Sequence, residues 1–342
     1  MKTLLTIVAL AILARCSLPP PPTHTLPDFF ESPGDSDIRI AFYNVENLFD
    51  TFNDPEKDDD DFTPMGSHRW TYSRYRAKVG EHAQTIRAVG GWSGVDIIGL
   101  AEIENSIVLG DLINAPSLKE LNYRFVHFES PDPRGIDVGL LWRNQKIHLD
   151  TAAPIALPVD SGDRPLRDML WCRFVWNEVG FHLIIAHWPS RYGGQMASEE
   201  KRKYAAKRTN EFHDRISIEY PGEWIAFMGD LNDEPHNEAL SAVLGWSNSA
   251  GRWDPHPPPP NEWPGSHVHK GKWSLIDQCY ISKNPSRQVP SVKADTLHLF
   301  PARWLLEETD GGDWIPFRTY LGPSYHGGVS DHLPFYFDIS LE

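Results

Sequence analysis

Short apolar runs separated by polar loops recur from residue 38 onward, and each has the length of a β-strand. The first run, residues 38–43, alternates apolar and other residues and stops at Asn44. Comparable runs predict further strands at 95–101, 123–128, 136–142, 147–156, 169–176, 181–186, 224–228, 273–281, 292–299 and 333–339. Many strands with intervening helices predict an α/β protein.

Helical spacing of apolar residues is clearest over residues 72–89, where Gly90 and Gly91 then end the pattern. A short helix is predicted near 107–113, and another at about 237–244. Ser198 has the side chain of an N-cap, so we expect a long helix from there to about residue 217. Residues 251–270 are rich in Pro, His and Trp and predict a long irregular loop. The pattern contains no repeat, which favours one domain over 38–342.

Polar residues with Asn, Asp, Glu or His side chains follow these strands at the points where they end. They are Asn44 and Glu46, Glu102, His187, Asp230 and Asn232, Asp277, and Asp331 and His332. One such residue is commonly a cap or a turn, but so many are hard to explain as independent turns. Ligand sites in sheet proteins gather at strand ends, so we expect these side chains to meet there.

The chemistry that these residue types permit is narrow. Carboxylates and carboxamides without a cage of Cys and His favour a hard cation, Mg²⁺ or Mn²⁺, over zinc. Histidines near carboxylates can carry protons or oppose the charge of an anionic substrate. Arg134 and Arg191 offer planar donors for phosphate oxygens, although Arg134 could instead pair with Asp132 or Asp137 in a surface turn. Metal-assisted hydrolysis of a phosphate ester fits this set best.

The net charge is −15, from 47 acidic against 32 basic residues, which opposes non-specific attraction to nucleic acid. This net charge does not exclude a small basic cleft or a bound cation that supplies positive charge. An acidic segment at 54–61 has enough carboxylates for calcium, but its spacing matches no known calcium loop, and a solvated loop is favoured. Cys172 and Cys279 lie in apolar runs, which predicts two buried thiols rather than a disulfide.

Residues 1–16 have the pattern of a signal peptide: Lys2, an apolar stretch, and then Cys16. The position of Cys16 resembles a bacterial lipobox, although Arg15 stands where a small residue is expected. The Pro-rich residues 17–37 predict a stiff tether. We therefore expect an exported protein, in the periplasm or held at the membrane through a lipidated Cys16, and a monomer without a protein partner.

Seven motifs in this order resemble the endonuclease/exonuclease/phosphatase (DNase I-like) superfamily over about residues 38–340. They are Phe-Tyr-Asn44-Val-Glu46-Asn-Leu, Leu-Ala-Glu102-Ile-Glu-Asn, Arg134-Gly-Ile-Asp137-Val, Ala-His187-Trp-Pro-Ser-Arg191, Gly-Asp230-Leu-Asn232-Asp, Leu-Ile-Asp277-Gln and Ser-Asp331-His332. Each motif is weak alone, but their common order is specific. The resemblance implies a four-layer α/β sandwich, with two mixed β-sheets face to face, helices outside, and the site at one end.

The resemblance also implies roles for individual residues. Glu102 would be the principal metal ligand, helped by Asn44, Glu46 and Asp331. Asp230 would orient or deprotonate the attacking water, and Asn232 would hold a phosphate oxygen. His332, paired with Asp277, would act at the scissile phosphate, and His187 stands where some members of the superfamily carry a His.

These residues predict a divalent-metal-dependent phosphodiesterase, with a nuclease as the first expectation. A phosphatase or phosphodiesterase for a small molecule or a lipid headgroup is the alternative within the same chemistry. A surface binding protein on an inactive scaffold is the alternative from another class. The complete set of polar residues argues against it, because a binding module needs no such set.

Overall fold

The computed structural model describes residues 32–34, 37–160, 163–191, 194–245, 252–259, 263–282 and 291–342. The predicted signal peptide at 1–16 and most of the predicted tether at 17–37 lie outside these residues. None of the described helices combines the length and the apolarity that crossing a membrane would require.

The strands of the described residues fall into two large sheets and three small hairpins. In chain order they are β1 (Ile38–Leu48), β2 (Ile97–Ile103), β3 (Tyr123–His127), β4 (Asp137–Arg143), β5 (His148–Ile155), β6 (Met169–Trp176), β7 (Val179–His187), β8 (Trp224–Asp230), β9 (Trp253–Pro255), β10 (His267–His269), β11 (Lys272–Ser274), β12 (Asp277–Ser282), β13 (Val292–Ala294), β14 (His298–Leu299), β15 (Leu306–Glu308), β16 (Trp314–Pro316), β17 (Tyr320–Leu321), β18 (Ser324–Tyr325) and β19 (Phe335–Leu341).

The first sheet has the order β13-β19-β1-β2-β4-β3, with β14 also paired to β19, and the second has the order β5-β6-β7-β8-β12-β9. Both sheets are mixed. In the first, β1 runs parallel to β2 and antiparallel to β19. In the second, β7 runs parallel to β8, which is antiparallel to β12.

Within the described ranges, three α-helices flank the sheets: α1 (Tyr72–Val89), α2 (Ser106–Ile113) and α3 (Gln195–Glu219). Three short 3₁₀ turns and a π-helical segment complete the helical structure of the described residues: Asp60–Phe62, Lys119–Leu121, Arg303–Leu305 and Ala239–Leu244.

The buried apolar residues form three clusters, one between the two sheets and one on the outer face of each sheet. This division follows from strand periodicity, because successive side chains of a strand face opposite ways. On β1, Ala41 and Tyr43 pack with α1, whereas Ile40 and Phe42 face the second sheet. On β8, Ala226 and Met228 face the first sheet, and Phe227 packs on the α3 side. Two sheets with helices on both outer faces form the four-layer α/β sandwich that the sequence predicted.

Several local predictions were wrong in their detail. Ser198 lies inside α3, three residues after the helix begins, and its hydroxyl donates to the carbonyl of Gly194 at 3.0 Å. The run 273–281 is interrupted at Leu275 and Ile276 between β11 and β12, and the predicted loop 251–270 contains β9 and β10. The hairpins between residues 306 and 325 had no clear signal in the apolar pattern.

Cys172 and Cys279 are buried free thiols, as predicted.

Candidate active site

The register of the second sheet brings three predicted site residues side by side. His187 is paired with Asp230 across the parallel strands β7 and β8, and Asp230 is paired with Asp277 across the antiparallel strands β8 and β12. Asp230 follows Ala226 and Met228 at two-residue spacing, so its side chain faces the gap between the sheets. Gly229, just before it, is required by close packing, since a Cβ there would lie 2.0 Å from the carbonyl oxygen of Ala186.

A bulge in the first sheet turns Glu102 toward this group. In a regular strand Glu102 would share the face of Leu100, which packs with α1. The register of β2 against β4 shifts between Ala101 and Ile103, and Glu102 has a φ of +65°, a conformation that non-glycine residues rarely adopt. Its carboxylate consequently lies 3.3 Å from the amide nitrogen of Asn44.

Asn44 links the two sheets at the level of the site. Its side-chain nitrogen donates to Glu102 Oε1 and, at 3.0 Å, to Asp230 Oδ2. Its side-chain oxygen accepts from the backbone N–H of Glu46 at 2.9 Å. The amide thus holds one carboxylate from each sheet at the same place.

His332 is held on its other side by Asp277, whose Oδ2 lies 2.7 Å from His332 Nδ1. The Ser266 hydroxyl donates to the same carboxylate oxygen at 2.5 Å. This arrangement points Nε2 of His332 at Asp230 Oδ2, which is 3.8 Å away. His187 Nε2 approaches the same oxygen at 3.5 Å, so two imidazoles converge on one carboxylate.

The surroundings separate the protonation states of the two histidines. Burial would lower the pKa of His332, but the carboxylates of Asp277 and Asp230 raise it well above its ordinary value. For His187, burial and the positive charges of Arg167 and Arg134 lower the pKa well below its ordinary value. Burial raises the pKa of Asp230 to about 7, against the opposing effect of His332. Around neutral pH the site thus holds one imidazolium, one neutral imidazole and a carboxyl group near its pKa.

Glu46 and Asp331 lie in a neighbouring part of the site that contains two basic side chains. The carboxylate of Glu46 accepts from the backbone N–H of Thr319 at 2.7 Å, and burial, with Asp331 as the next contributor, raises its pKa to about 7. Asp331 accepts from Arg318 and lies 3.8 Å from Nε2 of His332. Lys78 donates to the Thr319 hydroxyl and to the carbonyl of Val329, and burial lowers its pKa.

Asn232 and Arg191 form a supporting network beside Asp230. Asn232 has a φ of +52°, its N–H donates to Asp230 Oδ1 at 3.0 Å, and its side chain donates to the carbonyl of Trp188. Arg191 donates to the carbonyl of Asn232 at 2.7 Å and to the side chain of Asn237 at 3.1 Å. The guanidinium of Arg191 therefore helps to shape this turn, and its contact with a substrate phosphate stays a prediction.

Arg134 lies 3.5 Å from Asp132 and lines a cavity of about 410 Å³ that reaches His187. Four basic side chains line this cavity: Arg134, Arg164, Arg167 and Lys201. Arg167 is buried and donates to the carbonyl of His187 at 3.0 Å and to Asp132 at 2.9 Å. The chain therefore has a local basic cavity despite its net charge of −15.

Sequence reasoning missed several residues of this region: Lys78, Arg167, Ser266, His267 and Arg318. His267 lies in the segment 251–270 that the sequence predicted as a long irregular loop, but its ring lies 4.7 Å from that of His332 and its Nε2 lies 3.8 Å from Asp331. Lys78 had a usable signal, because it stands among the apolar positions of α1 between Tyr75 and His82. The other four lie in segments without periodicity.

The donors at the site fit a divalent metal ion. Ligand atoms fall within 4.8 Å of one another in two overlapping groups, Asp230–Asp277–His332 and His267–Asp331–His332, in which the carboxylates are the donors, because an imidazolium at His332 has no lone pair for a metal. Glu102 and Asn44 add a carboxylate and a carboxamide, and Glu102 keeps 16% of its side chain exposed. Oxygen donors in excess of nitrogen donors suit a hard cation.

Comparisons with known proteins agree with this architecture. The sequence model of the Endonuclease/Exonuclease/phosphatase family matches residues 39–341. A comparison with curated protein sequences gave no match.

Solved structures share the fold at low sequence identity. The human Nocturnin catalytic domain with bound sulfate is 16% identical, covers 90% of this chain and 94% of its own, and has a TM-score of 0.56. A mannosyl-6-phosphatase of Bacteroides thetaiotaomicron is 14% identical, the match covers 89% of this chain and 99% of that one, and the TM-score is 0.57. D. rerio TDP2 complexed with a single-strand DNA product is 16% identical, the match covers 90% of this chain and 100% of that one, and the TM-score is 0.51.

Proposed function

This chain belongs to the endonuclease/exonuclease/phosphatase family, and we propose that it is a divalent-metal-dependent hydrolase of phosphodiesters, with a nuclease activity as the first expectation. The observation that carries the proposal is the convergence of His187 and His332 on Asp230, with Glu102 held beside them through Asn44. This arrangement combines a proton acceptor, a cationic group and metal-binding oxygens at one point between the sheets.

In the proposed mechanism Glu102, Asn44, Glu46 and Asp331 would hold Mg²⁺ or Mn²⁺, with Glu102 as the principal ligand. When bound, the ion supplies Lewis-acid stabilisation of charge on the phosphoryl oxygens. Its oxygen-rich surroundings favour these two metals over zinc.

Asp230 is proposed to accept the proton of the attacking water, since its pKa of about 7 lets it act as a base near neutral pH. The water oxygen bonds to phosphorus, and the bond from phosphorus to the leaving oxygen breaks. His332 faces the same place as an imidazolium, stabilises the added negative charge and can protonate the leaving oxygen. Asn232 is proposed to hold a phosphate oxygen, with Asp230 and Trp188 fixing its position.

His187 is proposed to contact the reacting group as a neutral imidazole. Its Nε2 faces Asp230 and Glu102, so the hydrogen is expected on this nitrogen, where it can donate. Arg167 orients the ring through the backbone carbonyl of His187. Arg191 is proposed to support the substrate through the Asn232 turn that it holds.

The basic cavity beside His187 favours a substrate with a second anionic group next to the scissile phosphate. Arg134, Arg164 and Lys201 could bind the adjacent phosphate of a polynucleotide, which a simple monoester lacks. The alternative is a small-molecule or lipid-headgroup phosphate. A cavity of about 410 Å³ also has the size of a small-ligand pocket, and a mannosyl-6-phosphatase shares the fold.

Steady-state kinetics on single-stranded DNA, RNA, a phospholipid, a sugar phosphate and a generic aryl diester test the proposal. We expect activity on the diesters that stops with chelator and returns with Mg²⁺ or Mn²⁺. Turnover that survives complete chelation, or full activity of the Asp230→Asn variant, would refute the mechanism. Failure on all esters, together with no metal binding, would favour the inactive binding protein instead.

Removal of cationic side chains tests the substrate class. For an oligonucleotide, Lys201→Ala and Arg164→Ala should raise KM by roughly three- to tenfold each and leave kcat nearly unchanged, since each removes one phosphate contact. Lys207→Ala is the matched control, because Lys207 lies on the same helix and is exposed away from the cavity. An equal effect of the control, or a larger effect on a sugar phosphate than on the oligonucleotide, would favour the small-molecule alternative.

Export and lipidation through Cys16 remain proposals that the first 37 residues support. Radiolabelled palmitate should enter the wild-type protein and not the Cys16→Ser variant when both are produced in a bacterium. Secretion of a wild-type protein cleaved before residue 17 and without label would instead indicate an ordinary signal peptide. We propose in addition that the protein acts as a monomer, which size-exclusion chromatography with light scattering tests.

A further inference from the structure

Arg202 of α3 and Asp233 form an ion pair that is completely enclosed in the protein. Arg202 Nε lies 2.8 Å from Asp233 Oδ2, and neither side chain has any exposed surface. Charged side chains are almost never fully buried unless they are paired, and such a pair adds little net stability, because the lost hydration offsets the attraction. Buried pairs of this kind are best attested as devices that specify one arrangement of the chain.

Asp233 is the last residue of the motif Gly-Asp230-Leu-Asn232-Asp, and it ends the Asn232 turn that follows β8. Three side chains hold it in place. They are Arg202, Arg191, whose Nη2 lies 3.5 Å from Asp233 Oδ1, and Gln278, which donates to the carbonyl of Asp233 at 2.6 Å. The positive charge nearest to this carboxylate is that of Arg202, which comes from the helix layer outside the second sheet.

The position of Asp233 affects where the backbone N–H of Asn232 points. That N–H donates to Asp230 Oδ1 at 3.0 Å, and Asn232 has a φ of +52°. A non-glycine residue persists in this conformation only where its surroundings impose it. Because Asp233 adjoins Asn232, its anchor on Arg202 helps to impose the conformation, and with it the orientation of the Asp230 carboxylate.

Arg202 also reaches the segment that follows His187. Its Nη1 donates to Ser198 Oγ at 2.7 Å and to the carbonyl of Pro189 at 3.4 Å. Pro189 comes two residues after His187, so one guanidinium contacts the chain beside His187 and beside Asp230. The planar fork of an arginine suits such a multiple contact, whereas a lysine offers a single point charge.

We propose that Arg202 and Asp233 are positioning residues for the hydrolysis at Asp230, and that they act by holding the Asn232 turn at the reacting phosphate. The inference rests on the proposed function, in which Asp230 accepts the proton of the attacking water and Asn232 holds a phosphate oxygen. Neither Arg202 nor Asp233 has exposed surface with which to contact a substrate. Their effect concerns the geometry of the reacting groups, so it belongs in kcat rather than in KM.

The double variant Arg202→Met/Asp233→Leu tests the inference in the full-length protein. Removing one partner of a buried pair leaves an uncompensated charge, whereas replacing both partners by apolar residues of similar volume is often neutral for stability. We expect kcat on the aryl diester with Mg²⁺ to fall by about 10- to 100-fold and KM to stay within about twofold. The matched control, Arg208→Met/Glu211→Leu, replaces a half-exposed ion pair on the same helix and should keep the wild-type kcat within about twofold.

Amide hydrogen exchange at Asn232 gives a second measurement, which does not depend on turnover. The N–H that donates to Asp230 should exchange at least about tenfold faster in the double variant, whereas the amides within β8 should keep their wild-type rates. Faster exchange over β8 and α3 alike would overturn the inference, because it would show that the pair only stabilises the fold.

An unchanged kcat, or an unchanged exchange rate at Asn232, would also overturn it. So would a rise in KM for the oligonucleotide alone, because Arg202 would then only hold the cavity wall that Ser198 and Lys201 form. Circular dichroism checks that the double variant is folded. If it is not, Arg202→Lys decides the matter: it keeps a cation in the core without the planar fork, so kcat should fall by about threefold or more, and an unchanged kcat would refute the inference.

The two measurements separate this inference from the proposed function. If wild-type protein hydrolyses no ester, the proposed function fails, and the exchange rate at Asn232 still decides whether the pair holds the turn. If wild-type protein is active and the double variant matches it, the proposed function stands and the positioning role is refuted.

Discussion

Replacement of Asp277 by Asn would remove the charge that keeps His332 protonated, while it preserves the shape of the side chain. The carboxylate contacts His332 Nδ1 at 2.7 Å, and both residues are buried. Two unit charges whose centres lie about 4 Å apart, at an effective dielectric constant of about 20, attract each other by about 4 kcal/mol. That energy corresponds to a change of about three pKa units. Since burial alone lowers the pKa of His332, the Asn variant should hold this imidazole largely neutral near pH 7.

The pH dependence of kcat/KM on an aryl phosphodiester measures the effect. In wild-type protein the imidazolium persists as pH rises, because the pKa of His332 is raised. In Asp277→Asn the alkaline limb of the profile should move to lower pH by at least about one unit and at most about three. At pH 8 the loss of activity should therefore reach up to about tenfold for a shift of one unit and up to about a thousandfold for a shift of three, and at pH 5.5 it should be much smaller.

A loss of equal size at every pH would refute this reasoning, because it would show that Asp277 acts through position rather than through charge. An unchanged alkaline limb would refute it too. Ser266→Ala is the control, since it removes a hydrogen bond to the same carboxylate oxygen and leaves the charge in place. That variant should keep the wild-type profile within about half a pH unit.

Three further predictions concern other groups of the site and the core. Asp230→Asn should lower kcat by about 10²- to 10⁴-fold and leave the Tm equal or higher, since burial already disfavours this carboxylate's charge. Arg167→Met should lower the free energy of unfolding in urea by about 3–5 kcal/mol, because it removes the buried ion pair with Asp132 and the hydrogen bonds to the carbonyls of Ile136 and His187. Burial and the charge of Lys78 lower the pKa of His82, so this residue should contribute up to about 1.4 kcal/mol per pH unit to the loss of stability below about pH 6.5. His82→Leu should make the fall shallower by that amount, while the contribution of His187 remains, and urea titrations at several pH values measure the difference.

The sequence predicted most strands and the convergence of polar residues, because both follow from two-residue periodicity. His187, Asp230 and Asp277 each end or begin an apolar strand, and neighbouring strands of one sheet must bring such ends together. The same periodicity mispredicts Glu102, whose side chain would face α1 if β2 were regular. The bulge that turns it toward Asn44 depends on pairing with β4, which is far away in sequence.

Charge pairing was harder to predict than position. The sequence left Arg134 open between a phosphate contact and a pair with Asp132 or Asp137, and favoured a phosphate contact for Arg191. Folding gives Arg191 three partners in the Asn232 turn, and it places Arg134 3.5 Å from Asp132 at the edge of a cavity. Arg167 and Arg318 lie in irregular segments, where no period indicates which way a side chain points. Their importance comes from long-range contacts with Asp132 and Asp331.

The left-handed backbone at Glu46, Asn47, Glu102 and Asn232 has a consequence for protein engineering. Such conformations cost about 1–3 kcal/mol each at non-glycine residues, so glycine at Glu102 would relieve strain and raise thermal stability. The same change would delete the carboxylate that faces Asn44. A mutant library screened by heat resistance alone would therefore enrich for chains with a poorer site, and every round of such a screen needs a parallel selection for turnover.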